Sequence, residues 1–150
     1  MHNKKKLKFL LYFWILILLY SCSSDDHSPD CGCKAETRSS IPESAPLTGK
    51  LFYKNTPDDP YYNKKYWLVY IEEDCSNCVH SMIVCNEDLL SKLPEIPSFS
   101  NINVGIMFEP DLEDALDVEF SGELKSACDK IISLGDYTYE NFIINTIQSK

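Results

Sequence analysis

Cys75-Ser76-Asn77-Cys78 places two thiols two residues apart, directly after the aromatic and β-branched run from Tyr66 to Glu72. A pair at that spacing supports four kinds of chemistry: thiol–disulfide exchange, haem attachment, metal ligation or a covalent staple. Haem attachment needs a histidine immediately after the second cysteine, and here Val79 stands between Cys78 and His80. A zinc site would draw on Cys31, Cys33, Cys75 and Cys78, since four thiolates suit that ion. With only three histidines in the chain to supplement them, no metal and no cofactor is expected.

Other chemistry-bearing residues are weaker. Asp117-Val118-Glu119-Phe120-Ser121-Gly122 imitates the start of a calcium loop, but its twelfth position is Cys128 where a bidentate glutamate is required. Asp111, Glu113 and Asp114 supply carboxylates for acid–base work, yet an acidic turn between two strands accounts for them equally. A serine triad, a metalloprotease motif and a Gly-rich phosphate loop are all missing from the sequence. Aromatics crowd the first third, with Tyr53, Tyr61, Tyr62, Tyr66, Trp67 and Tyr70. If that cluster faces a groove, Tyr61, Tyr62, Tyr66 and Trp67 are the candidate ligand contacts, because flat rings stack on ligands such as sugars. Strand and core packing is the alternative, since aromatics favour strands.

The N-terminus decides which redox compartment these cysteines meet. Lys4, Lys5, Lys6 and Lys8 precede an unbroken apolar run of 12 residues from Phe9 to Tyr20. As a helix that run reaches about 18 Å, short of the ~30 Å hydrocarbon core of a membrane, and suits a secretory h-region. The following Leu19-Tyr20-Ser21-Cys22 resembles the lipobox of bacterial lipoprotein signal peptides. That resemblance implies cleavage before Cys22, acylation of Cys22 and a membrane partner reached through the lipid. Ser23-Ser24-Asp25-Asp26 is similar to the export tag of surface-exposed lipoproteins in some Gram-negative bacteria. The implied location is the bacterial outer membrane, lipid-anchored and displayed at the cell surface.

Removing residues 1–21 leaves 10 basic against 23 acidic residues, a net charge of −13. A chain this acidic is repelled by nucleic acid and by anionic membrane surfaces, so nucleic-acid binding is excluded. With Cys22 acylated, Cys31, Cys33, Cys75, Cys78, Cys85 and Cys128 remain as disulfide candidates. Six cysteines permit 15 connectivities, and the sequence does not choose among them. Outside the cytoplasm, oxidised cysteines are the rule.

Residues 22–47 hold serines, Pro29, Pro42 and Pro46 without apolar periodicity, and read as a flexible tether. Residues 48–150 form one domain. Strands are expected at Leu51–Tyr53, Tyr66–Glu72, Met82–Cys85, Ile102–Phe108, Leu116–Lys125 and Tyr139–Ile147. Asn86 to Pro94 reads as a brief helix capped by Asn86 and ended by Pro94. Leu124, Cys128 and Ile131 also fit a helical stripe running up to Gly135, and Gly122 suits a bulge. The fold class is mainly β: a small antiparallel barrel of five to six strands with one short helix between strands 3 and 4, similar to the OB-fold layout.

The strand before Cys75 also resembles the entry to the active site of thioredoxin-like proteins, which implies redox catalysis at Cys75 and Cys78. Two features depart from that family. Pro110 is the last proline and follows a strand rather than preceding one, and Val79 to Cys85 is too short and β-branched for the active-site helix. The sequence therefore favours a non-catalytic binding or envelope-interaction module with an unassigned ligand or protein partner, and keeps an anchored thiol–disulfide oxidoreductase as its alternative.

Overall fold

The computed structural model describes residues 29–57, 61–75, 78–100, 112–129 and 137–150. Among these residues seven strands run in chain order: β1 Thr37–Ile41, β2 Leu47–Lys54, β3 Lys65–Ile71, β4 Val79–Val84, β5 Ser98–Phe99, β6 Leu116–Ser126 and β7 Tyr137–Ser149. A 3-10 helix, Glu87–Lys92, lies between β4 and β5. Five strands close a barrel in the order β2-β3-β4-β7-β6 and back to β2, and β1 and β5 add to its edges. This is the mainly β, OB-like barrel with a short helix after its third staves-forming strand that the periodicities indicate. Four of the five closing pairs are antiparallel, and β4 with β7 is parallel. That departure from a uniformly antiparallel barrel is a matter of parity. Strand directions cannot alternate all the way around a ring of odd number.

Closure depends on β2 serving two neighbours. Its first half pairs with β6 from Leu47 to Leu51, and its second half pairs with β3 from Lys50 to Lys54. Gly122 marks a second bend. The register with β7 slips between Ser121 and Gly122, and a Cβ at Gly122 would meet the Ile143 carbonyl oxygen and come 2.5 Å from the Phe142 ring. Only a residue without a side chain lets the two backbones approach this closely.

The period-two pattern sorts side chains to two faces. Leu51, Leu68, Met82, Val84, Val118, Phe120, Phe142 and Ile144 fill the interior, and Phe120 meets Phe142 edge-on at 5.6 Å. Each of those phenylalanines is fully buried, worth roughly 1.5–3 kcal/mol. Leu90 of the 3-10 helix packs on the same cluster. The opposite face of β2, β3 and β4 carries a second apolar cluster built on Phe52, Trp67, Val69, Val79 and Ile83 and covered by Leu112 and Ala115.

Several boundaries differ from the sequence expectation. The tether of residues 22–47 ends too late: β1 lies within it and pairs with β6 from Thr37 to Ile41. Its sequence Thr-Arg-Ser-Ser-Ile buries only Ile41, so no apolar periodicity announces it. The Asn86 side chain does not cap the helix. Its amide donates to the Ile144 carbonyl and its oxygen accepts from the Ile144 amide, both at 2.8 Å, extending the β4–β7 ladder by one rung. Leu124 belongs to β6, which corrects the start of the helical stripe, and residues 130–135 of that stripe lie outside the described residues. The expected strand at residues 102–108, and residues 1–28 with the signal peptide and Cys22, also lie outside them. Among the described residues, no helix is long and apolar enough to cross a membrane.

Candidate functional site

Six cysteines form three bridges: Cys31–Cys128, Cys33–Cys85 and Cys75–Cys78. The four thiols weighed as a zinc set are thereby divided among all three. The first two bridges fasten the chain just before β1 to the end of β6 and the end of β4. Gly32 N–H adds a 2.7 Å bond to the Ser126 carbonyl, and the buried Lys125 Nζ donates to the Ala35 carbonyl at 2.7 Å. The polar β1 segment is thus held by covalent and hydrogen bonds rather than by apolar burial.

The third bridge closes the β3–β4 hairpin. Cys75 N–H donates to the Glu72 carbonyl at 3.2 Å, Cys78 N–H to the Cys75 carbonyl at 3.1 Å and Glu72 N–H to the Cys78 carbonyl at 3.2 Å. Cys78 then leads straight into β4. Among the described residues, the segment that follows the pair is this strand and not a helix, the element at whose N-terminus exchange-active thiols sit. Two residues on, His80 is engaged at both ring nitrogens: Nε2 lies 2.9 Å from Glu72 Oε1 and Nδ1 2.8 Å from Thr138 Oγ1. Its ring stacks on Tyr70 at 5.7 Å. The parallel β4–β7 register creates this network by setting His80 opposite Thr138.

The aromatic candidates do not share a surface. Trp67 is fully buried in the second cluster, which corrects its assignment as a ligand contact. Its indole N–H donates to the Tyr62 carbonyl at 3.1 Å, and the Lys54 ammonium sits 4.9 Å from its ring centroid. Tyr66 points to the other side of β3, against the interior cluster and 4.9 Å from the Tyr53 ring. Tyr61 is exposed, and its carbonyl accepts from Lys54 Nζ at 2.9 Å. Tyr62 packs edge-on against Trp67, and its hydroxyl accepts from the Asp129 N–H at 2.8 Å.

That Tyr62–Asp129 bond leads to a groove the sequence did not indicate. A cavity of about 490 Å³ lies between the start of β7 (Tyr137, Thr138, Tyr139, Glu140), the end of β6 with Ser126, Ala127 and Asp129, and Arg38 of β1. Small-molecule sites typically measure roughly 300–1,000 Å³. Tyr139 backs onto Trp67, edge-on at 6.4 Å, so the buried indole fixes its ring from behind. Burial, and then the neighbouring Tyr137, raise the pKa of the Tyr139 phenol above its ordinary 10.0. Arg38 reaches across to Glu140 with an N–O distance of 3.0 Å. Of the weighed carboxylates, Glu113 and Asp114 occupy an exposed turn closed by Ala115 N–H on the Leu112 carbonyl, and Asp111 lies outside the described residues. The signal that would have found the groove is the Tyr137-Thr138-Tyr139 alternation opening the last strand, which aims two rings to one side.

No protein-family model matches the chain, and no curated protein shows significant similarity to it. The site's chemistry therefore rests on its own geometry.

Proposed function

We propose that this chain is a lipid-anchored lipoprotein of the bacterial outer membrane, displayed at the cell surface, whose OB-like barrel is a non-catalytic binding module. The observation that carries the reading is the pairing of all six cysteines downstream of Cys22, which fits an oxidising compartment. The lysine-rich start, the short apolar run and Ser21-Cys22 supply the export signal. Acyl chains on Cys22 give the membrane partner, at ~0.8 kcal/mol per buried CH₂. The net acidity of the mature chain speaks against nucleic acid as the ligand. Metabolic labelling with a palmitate analogue tests the anchor: label is expected on the parent chain and lost in Cys22→Ala, and equal label in both overturns it.

A second reading keeps Cys75–Cys78 as a thiol–disulfide exchange centre, because the two cysteines are bridged to each other at the C-x-x-C spacing, the oxidised form of such a pair. Insulin reduction separates the two readings. The binding-module reading predicts no turnover, whereas turnover abolished by Cys75→Ser establishes the exchange reading.

A further inference from the structure

We infer that Cys75–Cys78 is a reversible redox modification site, opened and re-closed on the folded barrel by a dithiol partner whose reacting surface is cationic. The inference deepens the exchange reading of the pair, with the bridge as the target of exchange and the partner as its agent. What sets this bridge apart is how little its opening releases. It joins cysteines 3 residues apart in one hairpin. The strands leading to it are already paired, Tyr70 with His80 and Ile71 with Val79. Glu72 N–H extends that pairing to the Cys78 carbonyl, and the Cys75 and Cys78 N–H groups hold the turn. The Glu72 carboxylate also reaches across the hairpin to His80 at 2.9 Å. With the sulfur–sulfur bond broken, these contacts keep both thiols on one turn, so re-closure is an intramolecular step at high effective concentration.

The two long bridges differ. Cys31–Cys128 and Cys33–Cys85 fasten the segment before β1. Ala35 of that segment is buried, and its carbonyl accepts from the Lys125 ammonium. A reductant that parts those sulfurs for good has to lift the segment off the barrel. A hairpin turn opens locally at a lower cost than a docked segment. The exchange itself balances as follows. A partner thiolate attacks one sulfur of the Cys75–Cys78 bridge, forming an intermolecular disulfide and expelling the other sulfur as a thiolate, which takes up a proton. The partner's second thiol gives up its proton and attacks the mixed disulfide from its own side. Two electrons pass to the pair, leaving Cys75 and Cys78 as thiols and the partner as a disulfide.

Charge selects the partner. Glu72, Glu73 and Asp74 directly precede Cys75, and Glu73 and Asp74 are exposed. The attacking sulfur is an anion, and it approaches these carboxylates on a chain whose residues 22–150 carry a net −13. A reactant that brings positive charge beside its thiolate offsets the repulsion, whereas an acidic one compounds it. The bridge is thereby shielded from anionic small thiols and open to a thiol set in a basic surface.

Graded reduction of the full chain in a neutral detergent tests the site. Cysteamine (cationic), 2-mercaptoethanol (neutral) and 3-mercaptopropionate (anionic) are compared at equal thiolate concentration. Alkylation with mass spectrometry reads which bridge opens, and circular dichroism reads the barrel. Cys75 and Cys78 are expected to alkylate first, with Cys31–Cys128 and Cys33–Cys85 still linked and the spectrum unchanged. Adding cystamine should then restore the Cys75–Cys78 peptide. Cysteamine should open the pair roughly tenfold faster than 3-mercaptopropionate at about 0.01 M salt, and the gap should shrink to about twofold or less at about 1 M salt. The double variant Glu73→Gln/Asp74→Asn, altered only at exposed positions, should lose most of the low-salt gap. A long bridge that opens first, or a spectrum lost as the pair opens, overturns the reversible site. A rate order indifferent to both salt and the double variant overturns the cationic partner. Insulin turnover reads the catalytic reading separately, because a target of exchange needs none.

Discussion

The three bridges span very different lengths of chain, and their removal should cost accordingly. In the chain-entropy treatment, closing a loop of n residues removes about 2.1 + 1.5R ln n cal/mol/K from the unfolded state. Cys31–Cys128 spans 97 residues, Cys33–Cys85 spans 52 and Cys75–Cys78 spans 3. Taken alone these give about 4.7, 4.1 and 1.6 kcal/mol at 25 °C. The two long bridges are not independent, however, since Cys31 and Cys33 are neighbours. With either one in place, the loop the other closes runs through it and shrinks to roughly 45 residues, worth about 4.0 kcal/mol. Losing either long bridge should therefore cost about the same, ~4 kcal/mol, and losing both ~8 kcal/mol. That is a large share of the roughly 5–15 kcal/mol that holds a domain together. Losing Cys75–Cys78 should cost only ~1.6 kcal/mol. Urea unfolding of the paired serine variants, followed by circular dichroism, measures all four. A short-bridge variant that loses as much stability as a long-bridge variant would refute the reasoning, as would a long-bridge variant as stable as the parent.

Gly122→Ala should cost roughly 1–3 kcal/mol, because the added methyl lands on the Ile143 carbonyl and the Phe142 ring; an unchanged urea midpoint contradicts it. Asn86→Ala leaves both Ile144 backbone groups without their side-chain partner, for a cost of ~1–3 kcal/mol. Faster hydrogen exchange at the Ile144 amide is the specific sign, and protection unchanged from the parent refutes the bridging role. Tyr139 predicts an alkaline limb in stability. Its folded pKa lies above the unfolded 10.0, so the unfolded chain gives up the proton first. The contribution is full below pH 10.0 and is lost as pH rises through the folded value. Tyr139→Phe should flatten that limb, and an identical limb in the variant contradicts the assignment.

What could be read from the sequence followed apolar periodicity. The alternation from Leu116 to Lys125 is β6, and Tyr66–Glu72 is β3 to within a residue at each end. The interior positions Val118 and Phe120 come directly from it. β1 escaped because Thr37–Ser40 is exposed and polar, held by Lys125 and by two bridges whose pairing depends on the folded topology. Trp67 shows the limit of composition: an aromatic in a strand faces either side, and the neighbours decide whether that side is wet. Both faces of β3 are covered here, one by the barrel interior and one by Leu112 and Ala115. Of the groove, only the Tyr137-Thr138-Tyr139 alternation was legible; its other walls were hidden for the same reason as the parallel pair. A period of two states which residues share a face, whereas Arg38, Asp129 and Tyr139 meet only through pairings distant in sequence.

Peptide mapping by mass spectrometry, under non-reducing conditions and on chain taken from the bacterial membrane fraction, tests the central claim most directly. The account predicts an acylated Cys22 at the mature N-terminus and linked peptides joining Cys31 to Cys128, Cys33 to Cys85 and Cys75 to Cys78. An unmodified Cys22 on a chain whose six other cysteines all alkylate as free thiols would contradict it.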